Sequence, residues 1–309
     1  MTLHPSSQTS LFVHNLLLDK FIDLYNKKKL PNKIILSGEK GIGKSTLAYH
    51  LINYILSENE EFSYDLINYK ISTENKSYKL LKNNVNPNLY LIDILKDKKN
   101  IDINQIRNLI LDLNKSSFNS KPRFVLIDNI EFLNINSINA LLKILEEPNY
   151  NVNFILINNN KKVLPTVKSR CLNFRVHISY NETIEIINKL LNDDIFKYIN
   201  KDLLNHYVTP GQLIGLIKFA DDQKISLKDV NLKDFLYKVI KKKVYKKDKS
   251  INEYIYSLIQ LYFRKNITVA NTDLIKLYNY FLKQIHNTKM FNLDEESLFI
   301  EFDDKVLNG

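Results

Sequence analysis

The chain has 309 residues, of which 44% are apolar, so it is long enough for about two globular domains with sizeable cores. It has no apolar run that could span a bilayer, a polar N-terminus without the apolar segment of a signal peptide, and only one cysteine, Cys171, which excludes an internal disulfide; we therefore expect a cytoplasmic protein. The net charge of +10 is compatible with a nucleic-acid partner. A biased base composition of the genome, which would enrich lysine codons, explains the charge equally well.

The first predicted elements surround a glycine-rich loop. An amphipathic pattern predicts a helix over 16–25, and the apolar run Lys33–Ser37 predicts a buried strand. The next eight residues, Gly38–Ser45, fit G-x-x-x-x-G-K-[ST], the phosphate-binding loop, and a helix is predicted over 46–56. Strand, glycine loop and helix is the order that the motif requires; the alternative is a chance glycine turn.

The loop predicts a site for a nucleotide, ATP or ADP, with Mg²⁺. Glycines let the backbone bend so that its N–H groups point at phosphate, and the N-terminus of the following helix favours anions. Lys44 is expected to reach the β- and γ-phosphates, and the Ser45 hydroxyl is expected to bind Mg²⁺. The candidate binding residues in the loop are Gly38, Gly41, Gly43, Lys44, Ser45 and Thr46.

The elements that follow alternate between strands and helices, which predicts a parallel sheet covered on both faces. They are predicted strands over 88–94, 123–128 and 152–157, and predicted helices over 101–113 and 137–147, the last ended by Pro148. Asp128 ends one of these strands. Because ligands of open α/β sheets bind at the carboxyl ends of strands, Asp128 is expected to hold Mg²⁺ directly or through water.

The second half of the chain is predicted to be helical. Helices are predicted over 181–191, 201–206 and 212–220, and helical patterns with aliphatic and aromatic anchors continue from about 226 to the end. We therefore predict three domains: an α/β nucleotide-binding domain over 1–176, a small helical domain over 177–225 and an all-helical domain over 226–309.

Two motifs in the first predicted domain resemble one family. Residues 139–148, Asn-Ala-Leu-Leu-Lys-Ile-Leu-Glu-Glu-Pro, resemble the NALLKxLEEP signature of bacterial clamp-loader ATPase subunits, and Ser169-Arg170-Cys171 resembles their SRC motif. Shorter matches occur at Gln105–Arg107, Leu133–Asn134, Asn292–Asp294 and Leu11–His14, where Val13 replaces a glycine. Together these motifs resemble the subunits of the DNA polymerase III clamp loader, members of the AAA+ class, over the first two domains and more loosely over the third.

This resemblance implies a RecA-like AAA+ domain with a parallel sheet, a helical lid domain and an all-α collar domain. It also implies a hetero-pentameric ring with gamma/tau and delta subunits, which opens a sliding clamp and places it around primed DNA in the cytoplasmic replisome. Each ATP site would lie between neighbouring subunits. Arg170 would reach the nucleotide of the next subunit in trans as an arginine finger; the alternative is a surface arginine that closes a strand.

The same resemblance gives two asparagines and a histidine candidate roles. Asn158 and Asn159 follow a predicted strand where the family places a sensor of the γ-phosphate, although Asn is also common in turns after strands. His14 either lines an adenine pocket or is simply packed. The basic run Lys241–Lys249 is either a DNA-facing patch or, as we expect, a solvated helix face and loop.

Three departures from the family pattern bear on hydrolysis. Active AAA+ ATPases place a water-orienting Glu after the strand-end Asp, but this chain has Asn129, which cannot act as a carboxylate base. Nothing in the sequence shows that Glu131 could replace it. Thr209–Gln212 contains no sensor arginine, and the four cysteines of a zinc module are missing, so no zinc is expected.

These departures favour the delta-prime type of subunit, with weak or absent ATPase activity of its own, over the gamma/tau motor type. The alternative hypothesis is a self-sufficient AAA+ ATPase, either a gamma/tau-like motor or another DNA-remodelling enzyme, which the intact loop motivates. A third hypothesis is a nucleotide-regulated DNA-binding protein that uses the positive charge.

Overall fold

A computed structural model describes residues 4–95, 98–115, 119–146, 151–204, 207–246, 251–268, 272–291 and 293–308. The chain divides into two compact units, Met1–Ile178 and Ser179–Gly309. The boundary between them lies close to the predicted domain end at residue 176. The further division at residue 225 stays a prediction, because buried side chains on both sides of it share one hydrophobic core.

The first unit is built on a five-stranded parallel sheet with the order β2-β3-β4-β1-β5. Its strands are β1 (Lys33–Ser37), β2 (Leu89–Ile92), β3 (Arg123–Ile127), β4 (Val152–Asn158) and β5 (Leu172–Arg175). The sequence did not predict β5. It is a four-residue edge strand whose side chains are mostly exposed, so it lacks the apolar run that marks a buried strand.

Helices cover both faces of this sheet. They are α1 (Asn15–Asn26), α2 (Lys44–Leu56), α3 (Lys76–Lys82), α4 (Ile103–Leu113), α5 (Ile135–Glu146) and the single turn α6 (Pro165–Lys168), with 3₁₀ turns at Pro5–Ser7 and Ile130–Phe132. Within β3, Phe124 and Leu126 join one core with α1, α2 and α3, whereas Val125 and Ile127 join another with α4 and α5. Two cores on one parallel sheet confirm the predicted α/β fold class with helices on both faces of the sheet.

The second unit contains only helices and short helical turns among its described residues. Its helices are α7 (Tyr180–Leu191), α8 (Pro210–Asp222), α9 (Leu232–Lys241), α10 (Asn252–Asn266), α11 (Thr272–Phe291) and α12 (Glu295–Phe302), the last continuing into a π-helical turn, Asp303–Leu307. Further 3₁₀ turns lie at Ile195–Lys197, Lys201–Leu203 and Val244–Lys246. Within the described ranges, no helix has the length and apolarity needed to cross a membrane.

Local side-chain hydrogen bonds decide where two of these helices begin. Ser179 with Glu182 and Thr209 with Gln212 form capping boxes at the starts of α7 and α8.

The predicted helix over 201–206 is wrong in its described part, because only the 3₁₀ turn Lys201–Leu203 forms; His206 lies outside the described residues. Asn200 caps that turn, and Leu204 is extended.

The described part of the basic run pairs with acidic residues near the end of the chain. Lys243 and Lys246 lie 2.7 and 2.5 Å from the carboxylate oxygens of Glu296, and Lys241 lies 3.3 Å from Asp303. Part of the positive charge of this run is thus neutralised within the same unit, as expected of a solvated helix face. The rest of the run, 247–250, lies outside the described residues.

The turn after β1 brings two backbone segments together. Val176 donates its backbone N–H to the Ser37 carbonyl, and a Cβ on Gly38 would lie only 2.2 Å from the Val176 carbonyl oxygen. In contrast, a Cβ on Gly215, within α8, would meet no described heavy atom within 4 Å beyond the helix's own nearby backbone. These two glycines therefore make a matched pair for testing the turn.

We expect Gly38→Ala to lower the free energy of unfolding by about 1–3 kcal/mol, because the added methyl group forces the backbone apart. Gly215→Ala should raise it by about 0.5–1 kcal/mol, because alanine loses less conformational entropy in a helix. Urea unfolding followed by circular dichroism measures both changes. Equal effects of the two substitutions would contradict the close approach at Gly38.

A buried histidine links α2 to the N-terminal segment. His50 is completely buried; its Nδ1 lies 2.8 Å from the Tyr64 hydroxyl and its Nε2 lies 3.2 Å from the Gln8 carbonyl oxygen. Since a carbonyl can only accept, Nε2 is the donor, and Nδ1 accepts from Tyr64 in the neutral ring. Burial lowers the pKa of His50 to about 4.

The low pKa of His50 predicts acid destabilisation. The unfolded chain binds a proton near pH 6.5 and the folded chain only near pH 4, so the stability that neutral His50 contributes is complete above pH 6.5 and declines as the pH falls toward 4. Between pH 7.5 and pH 5 we expect this residue to cost about 2 kcal/mol of unfolding free energy.

Urea unfolding at the two pH values measures this loss, and His50→Gln should reduce the difference by that amount. The exposed His177 in the same unit provides the control, because His177→Gln should leave the difference unchanged. An identical pH difference in wild type and His50→Gln would show that His50 does not carry it.

Candidate nucleotide site and exposed arginine

The glycine loop connects β1 to α2 with two residues in the left-handed backbone region. Gly41 and Gly43 have φ angles of 86° and 91°, where glycine is favoured because it has no Cβ. Gly43 is also the N-cap of α2 and offers no side-chain cap. The first N–H groups of α2 therefore lack intrahelical partners and are suited to bind an anion.

Lys44 is folded into the loop. Its side chain is almost completely buried, and Nζ donates to the carbonyl oxygens of Gly38 at 2.9 Å and Glu39 at 2.5 Å. Burial lowers the pKa of Lys44 to about 8, against the opposing charges of Asp128 and Glu131. The ammonium group is thus held by its own loop and titrates just above neutral pH.

Ser45 and Asp128 meet although they are 83 positions apart in the chain. The Ser45 hydroxyl donates to Asp128 Oδ2 at 2.5 Å, and the Asn129 backbone N–H donates to Oδ1 at 2.8 Å. Burial raises the pKa of the Asp128 carboxyl, while the hydrogen bond from Ser45 opposes that shift. A hydroxyl and a carboxylate side by side form a donor set that suits Mg²⁺ together with phosphate oxygens.

Asn129 follows β3 and connects the ends of the two strands on either side of it, β2 and β4. Its Nδ2 donates to Asp93 Oδ1 at 2.7 Å, and its Oδ1 accepts from Asn159 Nδ2 at 2.8 Å. The orientation of the Asn129 amide follows from this network, because the Asp93 carboxylate needs a donor. The amide therefore cannot be flipped without breaking both hydrogen bonds.

Asn159 also holds a carboxylate. Its Nδ2 and its backbone N–H donate to the two carboxylate oxygens of Glu131, at 3.0 and 3.3 Å. The negative charge of Glu131 also opposes the lowered pKa of Lys44, so the two side chains interact. Sequence reasoning missed Asp93 and left Glu131 without support; the only available signal was that Asp93 is an acidic residue near the end of the predicted strand 88–94.

Asn158 has a different role from Asn159. Its backbone carbonyl accepts from the Gly38 N–H at 3.2 Å, and its buried Nδ2 donates to the Lys161 carbonyl at 3.1 Å. Its Oδ1 has no hydrogen-bond partner among the described residues. The structure thus places Asn159, rather than Asn158, in the network around Glu131, and the sensor role of Asn158 stays a prediction.

His14 contacts the loop from outside. Its Nε2 donates to the Ile42 carbonyl oxygen at 2.7 Å, and a Cβ on Gly43 would lie 3.8 Å from the same nitrogen. The ring is therefore packed against the phosphate loop, as in the simpler of the two readings of His14. The adenine-pocket role stays a prediction.

Arg170 lies on a braced turn between α6 and β5. Its side chain is about one-third exposed; Nη1 donates to the Thr166 carbonyl at 2.9 Å, and Nη2 lies 2.5 Å from Glu146 Oε1. Ser169 Oγ donates to the same Thr166 carbonyl at 3.0 Å. Cys171 is buried in the core under α5, and burial raises its pKa to about 11, so it packs as an unreactive thiol.

The motif residues therefore form two groups. Lys44, Ser45 and Asp128 come together with the glycine loop, as predicted, whereas Arg170 is partly exposed on a separate turn. Sequence reasoning gave no role to Glu146, which is part of the NALLKxLEEP signature but has no local signal for its contact with Arg170. The remaining two residues of that signature, Glu147 and Pro148, lie outside the described residues, as does Asn292.

Comparisons with known proteins agree with these features. The model of the family described as DNA polymerase III, delta subunit, matches residues 13–179, which is more than half of the chain. A DNA polymerase III subunit delta' of Buchnera aphidicola subsp. Schizaphis graminum is 27% identical over 282 residues, covering 87% of this chain and 83% of the relative.

Two further relatives match over shorter parts of their own length. A DNA polymerase III subunit delta' of Pseudomonas aeruginosa is 31% identical over 45% of this chain and 40% of the relative. A DNA polymerase III subunit gamma/tau of Mycoplasma genitalium is 30% identical over 68% of this chain and 35% of the relative. The chain therefore belongs to the DNA polymerase III delta-subunit family, as a clamp-loader subunit of the delta-prime type.

Proposed function

We propose that this subunit acts in the clamp loader chiefly by donating Arg170 to the ATP site of a neighbouring subunit. It would take its place in a hetero-pentameric ring with gamma/tau and delta subunits, in the cytoplasmic replisome. The ring would use ATP to load a sliding clamp onto primed DNA. The observation that supports this proposal is that Arg170 is partly exposed on a turn whose two flanking residues are fixed.

The chemistry of phosphoryl transfer explains why such an arginine matters. Negative charge spreads over the oxygens of the transferred phosphoryl group, and a fixed guanidinium stabilises it without reorganising during the reaction. The turn supplies that fixation: Cys171 is anchored in the core, and Ser169 is bonded to the end of α6. Arginine also presents several N–H donors in one plane, which lysine cannot do.

We further propose that the chain binds ATP or ADP with Mg²⁺ in its own loop. The loop N–H groups at Gly41 and Gly43 and the start of α2 at Thr46 would hold the phosphates, with Lys44 between them. Gly38, whose N–H donates to the Asn158 carbonyl, would contribute by letting the loop turn. The Ser45 hydroxyl and the Asp128 carboxylate would hold the metal ion, which neutralises phosphate charge. The 2.5 Å Ser45–Asp128 contact supports this assignment, because both oxygens already face one point.

Hydrolysis at this site should be weak. Asn129 stands where a water-orienting carboxylate is needed, and its amide is engaged by Asp93 and Asn159. An amide has no basic oxygen that could take a proton from the attacking water. The subunit would therefore hold nucleotide for assembly more than for turnover.

One observation favours the alternative, a self-sufficient ATPase. The Glu131 carboxylate is held by Asn159 and interacts with Lys44, so a carboxylate is present near the site after all. Rapid ATP turnover by the purified chain, abolished by both Glu131→Gln and Lys44→Ala, would favour this alternative over an assembly role.

The lowered pKa of Lys44 predicts that nucleotide affinity depends on pH. Phosphate binds the protonated amine, whereas the free chain loses this proton near pH 8, so binding above pH 8 requires proton uptake. We expect the affinity for ATP to fall by up to about tenfold between pH 7 and pH 9.

Titration with a fluorescent ATP analogue at both pH values measures this change. Lys44→Ala should weaken binding and remove its pH dependence, whereas substitution of the exposed Lys76 on α3 by Ala should preserve the dependence. Wild-type affinity that does not change with pH would rule out Lys44 as the titrating phosphate ligand.

The proposed finger predicts a loss of activity in the whole loader. In a complex reconstituted with its gamma/tau and delta partners, Arg170→Ala should lower the kcat for ATP hydrolysis at least about tenfold, since the transition state loses a cation. Arg170→Lys should recover little, because an ammonium lacks the planar fork.

Size-exclusion chromatography should show that the Arg170→Ala complex still assembles. Arg175 provides a matched control, because it is an exposed arginine of the same unit on β5, and Arg175→Ala should leave kcat unchanged. Full activity of the Arg170→Ala complex would refute the finger role.

A further inference from the structure

A carboxylate of the same chain holds the partly exposed Arg170 side chain. Glu146 is the last described residue of α5, and its Oε1 lies 2.5 Å from Arg170 Nη2. We propose that Glu146 is a positioning residue for Arg170, which fixes the guanidinium before a neighbouring subunit offers its nucleotide. This proposal rests on the finger role of Arg170 proposed above.

The contacts of Arg170 leave donors for a second partner. A guanidinium has five N–H groups. Nη1 donates to the Thr166 carbonyl and lies 3.3 Å from Ser169 Oγ, and one N–H of Nη2 serves Glu146. Within the described residues, Nε and the second N–H of Nη2 have no acceptor. Glu146 can therefore hold the arginine while it donates to phosphate.

Fixing the side chain in advance has a defined physical effect. An arginine side chain has large rotamer freedom, and an unanchored one must lose that freedom when it binds in a neighbouring site. Glu146 and Thr166 together restrict the guanidinium from both of its Nη atoms. The neighbouring site then receives a cation whose position is already set, which favours the transition state over the ground state.

Fold stability gives no separate reason for Glu146 at this position. A carboxylate in the last turn of a helix is unfavourable, because the helix dipole places partial negative charge there. The Glu146 side chain is more than half exposed, and such exposed ion pairs contribute little to stability. The main consequence of the contact is therefore the orientation of Arg170.

The test uses the reconstituted loader and variants of Glu146. Glu146→Ala should lower kcat for ATP hydrolysis about two- to fivefold with KM unchanged, because an exposed pair of this kind has a modest effect. Glu146→Gln keeps an acceptor oxygen, so its kcat should lie between those of Glu146→Ala and wild type. Glu74, which pairs with Lys79 on the surface of the same unit, provides the matched control, and Glu74→Ala should leave kcat unchanged.

A double-mutant cycle separates positioning from a general structural effect. In the Arg170→Ala background, Glu146→Ala should cause no further loss, because there is no arginine left to position. An equal loss in both backgrounds would overturn the proposal. So would a rise in kcat on Glu146→Ala, which would make Glu146 a competitor of phosphate for the arginine.

The outcomes also distinguish this proposal from the finger role. If Arg170→Ala itself leaves kcat unchanged, the finger role fails, and the positioning role fails with it. If Arg170→Ala lowers kcat while Glu146→Ala and Glu146→Gln do not, only the positioning role fails. Thermal unfolding of each variant checks that the fold is intact, and the less disruptive Glu146→Gln carries the test if Glu146→Ala unfolds.

Discussion

The hydrogen bond between Ser45 and Asp128 is the contact on which the site depends. It joins the start of α2, which follows β1, to the end of β3, although β1 and β3 are not adjacent in the sheet. In the sheet, β4 lies between β1 and β3. To reach Asp128, the loop after β1 must pass over the end of β4, where the Asn158 carbonyl accepts from Gly38. On the other side of the loop, Gly38 lies so close to the Val176 carbonyl that a Cβ would collide with it, so only glycine fits at this position.

The charges at this edge of the sheet explain how an asparagine fits at position 129. Asp128 and Glu131 already place carboxylates near the buried ammonium of Lys44, and Asp93 helps to raise the pKa of Asp128. A further carboxylate at position 129 would add repulsion to this group. The amide instead donates to Asp93 and accepts from Asn159. Asn129 therefore connects the ends of β2 and β4, and it does not supply the carboxylate that would orient the attacking water.

The parts of the structure that were predictable have local signals. The apolar runs of β1, β3 and β4 and the spacing of the loop motif are continuous in the sequence, and they predict Lys44, Ser45 and Asp128 without knowledge of the fold. The exposed β5 has no such run, and the apolar spacing over 201–206 predicts a helix where the structure has only the short turn Lys201–Leu203. Contacts such as Asp93 with Asn129 or Glu146 with Arg170 join residues 36 and 24 positions apart, so only the packed structure reveals them.

One helix connects the two groups of functional residues. The segment that starts at Asp128, after β3, continues through a 3₁₀ turn into α5 and ends at Glu146. Its twelve helical residues span about 18 Å and are stiff, because Leu141, Ile144 and Leu145 are buried in the core. The buried face of α5 thus sets the position of the carboxylate that contacts Arg170, while the start of the same segment lies at the phosphate loop. A substitution in this face would therefore act first on Glu146, which the helix carries, whereas Asp128 is held by β3 and by the hydrogen bond from Ser45.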